Sequence, residues 1–142
     1  MNLEHLQTLR DHLSRQDPAD FKMDDYLVMV NQWGTQTDPG TEDLNCHTAG
    51  CIAGHVAIMC HPGMNERAIR TEMQLRNTDI KTFAAAYLGL SLEDALMIFE
   101  PLHEEMGGVR YEHVTLGQAI KLLDLILARG RVYPGMWKEA LS

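Results

Sequence analysis

The feature that most constrains the fold is a run of small and apolar residues at positions 45–60, which contains all three cysteines of the chain. Thr48 can cap a helix by accepting a hydrogen bond from a backbone N–H two or three residues later. Beyond it, large apolar side chains recur at helical spacing beside a stripe of alanines. We therefore predict a buried helix over residues 49–60. Gly50 and Gly54 inside it each cost about 1 kcal/mol relative to alanine, which indicates close packing or room for a ligand.

The remaining segments are also predicted to be helical. Residues that can cap a helix precede several further apolar-periodic segments: Asn2, Asp24, Asn65, Thr78, Ser91 and Thr115. The segment after Asp24 is predicted to be a short helix through Trp33 that Gly34 closes, and a polar loop follows it. No segment alternates apolar and polar residues over a useful length. The sequence predicts a single all-α domain over residues 1–142, an irregular bundle of about six helices around the 49–60 helix.

Composition and charge limit the partners. The net charge of −8 opposes general binding to nucleic acid or to an anionic membrane. Arg67, Arg70 and Arg76 nevertheless offer a local basic site. The first residues lack the pattern of a signal peptide, and an odd number of cysteines fits free thiols better than a disulfide framework. These features predict a cytoplasmic protein without a bound cofactor, and self-association is left open.

The first candidate site is a ligand-binding site at the start of the central helix. Backbone N–H groups at a helix N-terminus can hold a phosphate or a carboxylate. The residues predicted to line such a binding site are Cys46, His47, Thr48, Gly50, Cys51 and His55. A small anionic ligand fits this interpretation.

A metal site is the second possibility, because Cys51 and His55 lie one turn apart on a helix and Cys46 can reach them from the preceding loop. Cys60 is about half a turn out of phase with Cys51 and faces away. The spacing matches no common zinc module. We therefore prefer the interpretation that the cysteines and His55 are core residues and that no metal binds.

Thiol catalysis is the third possibility, since a cysteine at a helix N-terminus has a lowered pKa. Cys46 before a small-residue helix is similar to the nucleophile region of papain-like peptidases, and His113 supplies a histidine far along the chain. Those enzymes carry the histidine on a strand, and no sheet is predicted here. A hydrolase that uses Cys46 and His113 is therefore the alternative rather than the leading hypothesis.

Two stretches resemble a family of small bacteriophage and bacterial proteins. That family has a Cys-Gly-Thr-x-x-Cys-Ile-Ala-Gly signature, and the matching residues here are Cys46, Thr48, Cys51, Ile52, Ala53 and Gly54. Leu88-Gly89-Leu90, with Glu93 and Phe99 after it, matches a second motif of the family, and residues 114–119 occupy the place of its last helix. The chain departs from the signature at His47, where the family has glycine. The resemblance implies a helical fold and a phage setting but brings no established activity.

No catalytic set is complete in the sequence, whereas a small acidic domain with a glycine-containing central helix suits recognition. The leading hypothesis is a non-catalytic, phage-encoded binding protein that recognises a host protein or sequesters a small nucleotide-like ligand. In order of preference, the cysteine-dependent hydrolase comes second and a zinc-stabilised structural domain comes third.

Overall fold

The computed structural model describes residues 1–30 and 47–142, and the all-α prediction is confirmed. Seven α-helices lie in the described residues, slightly more than expected: α1 Leu3–Ser14, α2 Ile52–Cys60, α3 Glu66–Leu75, α4 Ile80–Leu88, α5 Leu92–Phe99, α6 Leu116–Arg129 and α7 Met136–Leu141. Three 3₁₀ helices span Pro18–Asp20, His103–Met106 and Tyr111–His113. A short antiparallel ribbon pairs β1 Val28–Val30 with β2 His47–Ala49.

Most helices begin where a capping side chain was predicted. Asn2, Asn65 and Ser91 each accept a hydrogen bond from a backbone N–H three residues later. Thr115 and Gln118 form the complete reciprocal capping box at the start of α6. The cap of α4 is Asp79 rather than the predicted Thr78, a shift of one residue.

The central helix begins later than predicted. Residues 47–49 pair with β1, so the backbone of Thr48 is extended and its hydroxyl accepts a hydrogen bond from the N–H of Glu66 at 2.9 Å. Cys51 is the N-cap of α2, and its side chain makes no capping hydrogen bond. The prediction that Thr48 caps the helix and Ala49 opens it was wrong, because strand pairing satisfies this backbone instead.

The helix predicted after Asp24 is also absent from the described residues. Val28–Val30 forms β1, in which the β-branched valines suit an extended backbone. Trp33 and Gly34, which were to complete that helix, lie outside the described residues, as does the polar loop predicted after them. The expectation that the chain has no sheet was therefore wrong, because β1 and β2 pair in a two-stranded ribbon.

The buried helix at the centre is α2. The side chains from Ile52 to Ala57 are all buried, and the helix packs against α1, α4, α5 and β2. Helix α6 packs against both α1 and α7. Small residues along α2 let several elements approach it closely, as its composition predicted.

Among the described residues, no single helix is long and apolar enough to cross a membrane. Only α4 and α5 taken together meet that length and composition, and they meet at an angle of 112°.

The C-terminal segment is held by Trp137, which is 1% exposed on α7 and donates from its indole nitrogen to the Met97 carbonyl at 2.9 Å. Trp137→Phe should lower the free energy of unfolding by about 1–2 kcal/mol, because it removes this bond and leaves a void. Tyr133→Phe is the matched control, since that hydroxyl bonds only the half-exposed Glu139 at 3.3 Å. Urea unfolding of the two variants checks the prediction, and equal losses would contradict it.

Candidate functional site

The residues predicted to form a ligand-binding site at the start of α2 lie mostly in the interior of the protein. Gly50 and Cys51 are buried, His55 is 0% exposed and Thr48 is half-buried. His47 belongs to β2, and Cys46 lies outside the described residues. Thr48, Gly50, Cys51 and His55 therefore do lie in one region. They contribute to the packing around α2 and do not line an open ligand site.

The backbone donors near the start of α2 are engaged by other segments of the fold. The N–H of Gly50 donates to the carbonyl of Asp20 at 3.0 Å, and the N–H of Cys51 donates to the carbonyl of Asp25 at 2.9 Å. These two hydrogen bonds connect residues 20–25 to the N-terminus of α2. The two donors are not available to an anionic ligand in this conformation.

The two glycines of the stretch face one backbone carbonyl. A Cβ added at Gly54 would overlap the carbonyl oxygen of Tyr26 and lie 2.9 Å from its carbon, and a Cβ at Gly50 would lie 3.3 Å from the same carbon. The close packing that the glycines indicated is made with this non-helical segment. The glycines thus position Tyr26 rather than make room for a ligand.

His55 is occupied on both ring nitrogens. Its Nε2 lies 2.9 Å from the carbonyl oxygen of Asp20, and its Nδ1 lies 3.1 Å from Nε2 of His12. Burial is the main cause that lowers the pKa of His55 to about 4. In the part of the chain that the structure describes, no three metal-ligating side chains come together. The zinc alternative also needs Cys46 and stays a prediction. It is not favoured, because both ring nitrogens of His55 already have hydrogen-bond partners.

The second residue of the hydrolase alternative, His113, is exposed on the 3₁₀ helix Tyr111–His113. Its proposed partner Cys46 lies outside the described residues. The pairing of these two side chains therefore stays a prediction.

The two described cysteines have the properties of structural thiols. Cys51 is 2% exposed, and burial raises its pKa to about 11; burial also raises the pKa of the half-buried Cys60. At pH 8, Cys51 in the folded protein should react with iodoacetamide about a hundred-fold more slowly than a free cysteine, with Cys60 in between. Peptide mass spectrometry after timed alkylation measures both rates. Rapid labelling of Cys51 would contradict this assignment.

An open cleft lies next to the central stretch, between α3 and α4. Its volume is about 350 Å³, and its lining comes from three segments: Tyr26; Arg70, Met73 and Gln74 of α3; and Thr78, Asp79, Ile80 and Lys81 at the start of α4. A second, more open recess continues from it and shares Gln74, Thr78 and Asp79. Met73 and Ile80 are buried and form an apolar floor, while the remaining side chains supply polar groups.

The cations of the cleft are held by groups outside its lining. Arg70 donates from Nε to Glu66 at 2.5 Å and from Nη2 to the Leu27 carbonyl at 2.9 Å. Lys81 lies 3.7 Å from Glu100. These contacts place two cationic side chains at the cleft in defined positions.

Tyr26 is fixed from both ends. Its carbonyl lies against the glycines of α2, and its hydroxyl donates to Glu100 at 2.5 Å. Burial, followed by the bond to Glu100, raises the pKa of Tyr26 well above its ordinary value. The phenol therefore remains protonated at neutral pH.

Asp79 contributes a carboxylate that the fold already uses. It accepts the N–H of Thr82 at 2.7 Å as the cap of α4, and this bond is the main cause that lowers its pKa. A capping carboxylate is stabilised by the partial positive charge of the helix N-terminus. Its charge is therefore partly compensated before any ligand binds.

The sequence pointed to one side chain of this cleft and missed the others. Arg70 is one of the three arginines identified as a local basic site. Tyr26, Asp79 and Lys81 were not identified, because they reach the cleft from segments far apart in the chain. The available signal was the Thr78-Asp79 cap followed by Lys81, which places a cation in the first turn of a helix.

No protein-family model matches the chain, and no curated protein or solved structure matches it either.

Proposed function

We propose that this chain is a non-catalytic binding protein that sequesters a small polar, nucleotide-like ligand in the cleft between α3 and α4. The observation that carries the proposal is the cleft itself, with its buried apolar floor and its polar rim. Its volume of about 350 Å³ lies within the range of about 300–1,000 Å³ that is typical of small-molecule sites. Such sites combine apolar walls with a few fixed polar groups that orient the ligand.

The way the lining is held also favours binding without chemistry. Tyr26 is fixed by the Gly54 contact and by Glu100, and Arg70 is fixed by two hydrogen bonds. Side chains that are already ordered lose less conformational entropy when a ligand binds. A pre-arranged cleft of this kind suits capture of a ligand.

The setting is part of the same proposal. The resemblance of Cys46, Thr48 and residues 51–54 to the bacteriophage signature supports a phage-encoded protein. The acidic composition supports a ligand other than a nucleic acid polymer or a membrane, and the proposed setting is the cytoplasm. Recognition of a host protein is the competing outcome of the experiment below.

A thermal-shift screen with nucleosides, nucleotides and amino acids tests the proposal. A ligand present at 100 times its dissociation constant should add about 2.7 kcal/mol to the free energy of unfolding. Gln74→Trp fills the cleft from an exposed helical position and should abolish this stabilisation. Gln7→Trp, on the exposed side of α1, is the matched control and should retain it. Stabilisation that survives Gln74→Trp, or stabilisation by a host protein only, would overturn the assignment.

A further inference from the structure

The start of α1 lies against the junction between α4 and α5. The N–H of Asn2 donates to the carbonyl of Leu88 at 2.8 Å, and a Cβ added at Gly89 would lie 3.0 Å from the nitrogen of Asn2. We call the surface formed by residues 1–5 and 87–94 the junction surface. It lies at the C-terminal end of α4, about 13 Å along this nine-residue helix from the end that lines the cleft.

Large apolar side chains are exposed on the junction surface. Met1 is 41% exposed and Leu3 is 45% exposed, and these two residues flank Asn2. Leu92, which follows Gly89 by three residues, is 62% exposed. Among the described residues, six large hydrophobic side chains are exposed, and three of them lie here. Single exposed apolar side chains are ordinary, whereas a group of them indicates an interaction surface.

The carboxylates beside these apolar side chains lack cationic partners. Glu4 and Glu93 are exposed and Asp94 is half-buried. Residues 1–9 and 82–99 contain these three acids and no lysine or arginine. In the described part of the chain, none of the three acids forms an ion pair.

The junction surface keeps a negative excess after local compensation. Its three acids lie in the first turns of α1 and α5, and each helix N-terminus offers only about half an elementary charge. Even with the ammonium group of Met1 counted, the negative charges remain in excess. In this respect the surface differs from the cleft, where Arg70 and Lys81 are paired with Glu66 and Glu100.

The sign of this charge selects among the possible partners. A second copy bound about a twofold axis would place like charges opposite one another, and an anionic membrane would also be repelled. Residues 1–5 and 87–94 are helical or in turns, so they offer no strand edge to an extended peptide. An apolar surface bordered by acids complements an amphipathic helix whose apolar stripe is flanked by lysine or arginine.

We propose that the junction surface binds a basic amphipathic helix of another protein. The apolar side chains of that helix contact Leu3 and Leu92, and its lysines or arginines face Glu4 and Glu93. The inference does not depend on the ligand of the cleft, because the two sites lie at opposite ends of α4.

An NMR titration of the isotope-labelled protein with a model peptide tests the proposal. The probe is an amphipathic helix of leucine and lysine, about 18 residues or five turns long. It should shift the amide signals of residues 2–5 and 88–94 and leave those of α6 and α7 unchanged. The affinity should fall as salt rises, because the ionic attraction is screened. A scrambled peptide of the same composition has no continuous apolar face and should bind about ten-fold more weakly or not at all.

Two pairs of variants separate the apolar contribution from the ionic one. Leu92→Gln should weaken peptide binding about ten-fold because a leucine contact is lost, and Glu93→Gln should weaken it about two- to five-fold at low salt. Leu102→Gln and Glu104→Gln are the matched controls and should change little, since both residues are exposed outside the junction surface. All four positions are exposed, so the fold should be retained, and urea unfolding checks this.

Several results would overturn the proposal. Absence of binding, shifts centred on other residues or equal binding of the scrambled peptide would show that this surface does not recognise the helix. Equal losses in Leu92→Gln and Leu102→Gln would have the same meaning. A leucine–glutamate helix that binds as tightly would remove the ionic basis for the choice of partner, and self-association that Leu92→Gln abolishes would assign the surface to a second copy. Gln74→Trp should leave peptide binding unchanged, so this experiment and the ligand screen fail independently.

Discussion

Replacing Gly54 by alanine is expected to lower the free energy of unfolding by about 3 kcal/mol, and replacing it by leucine should lower it further. The added Cβ would overlap the carbonyl oxygen of Tyr26. A backbone carbonyl cannot rotate away as the end of a long side chain can, so α2 and residues 26–27 would have to separate. That separation would disturb the buried Leu27 and the cleft side chain of Tyr26 together.

Gly117→Ala is the matched control for this prediction. Gly117 is exposed in the first turn of α6, and a Cβ there would meet nothing closer than the Thr115 hydroxyl at 3.9 Å. Alanine at this position should be neutral or stabilise by up to about 1 kcal/mol through its higher helix propensity. Urea unfolding at pH 7 measures both changes. Wild-type stability of Gly54→Ala would show that α2 does not pack against Tyr26 as described.

The helical fold could be predicted because its signals are local. The caps at Asn2, Asn65, Ser91 and Thr115 act within three residues, and the composition of the central stretch alone indicated its burial. The start of the central helix could not be placed this way. Thr48 has the chemistry of a cap, but pairing with β1, about twenty residues earlier in the chain, determines its backbone.

The candidate site was harder to predict than the fold. The glycines of the stretch correctly signalled a close approach, but the sequence does not say that the approaching group is the Tyr26 carbonyl. A cleft formed by Tyr26, Arg70 and Lys81 exists only after α3 and α4 pack beside that segment. Contacts between segments distant in sequence depend on tertiary packing, which local propensity does not encode.

A half-buried and a buried histidine, His12 and His55, form a hydrogen-bond chain that joins α1 to α2. His55 Nε2–H donates to the Asp20 carbonyl at 2.9 Å, and His12 Nε2–H then donates to His55 Nδ1 at 3.1 Å. This direction leaves His12 Nδ1 as an acceptor, and the Gln16 amide lies 3.5 Å from it. Protonation of His55 would place two donors face to face in a site where the ring is 0% exposed. The hydrogen-bond chain therefore requires a neutral His55.

Because the buried His55 ring must be neutral, the folded protein should lose stability in mild acid. The pKa of His55 falls from its ordinary 6.5 to about 4, and burial also lowers the pKa of His12, with Arg15 as a smaller cause. Between these pH values the unfolded chain binds a proton at His55 that the folded chain does not. Stability contributed by His55 is therefore complete above pH 6.5, decreases as the pH falls and is lost below pH 4. The expected loss is about 3 kcal/mol.

Urea unfolding of the wild type and of His55→Gln at intervals from pH 7.5 to 4 measures this loss. Glutamine cannot titrate, so the variant, although less stable at pH 7, should show a pH dependence flatter by about 3 kcal/mol over this interval. Other groups, such as Asp25, whose pKa burial raises, titrate in both proteins and cancel in the difference. His113→Gln, at an exposed histidine, should keep the wild-type slope. Parallel curves for the wild type and His55→Gln would mean that His55 accepts a proton without loss of the fold, and the hydrogen-bond chain would then not join α1 to α2 as described.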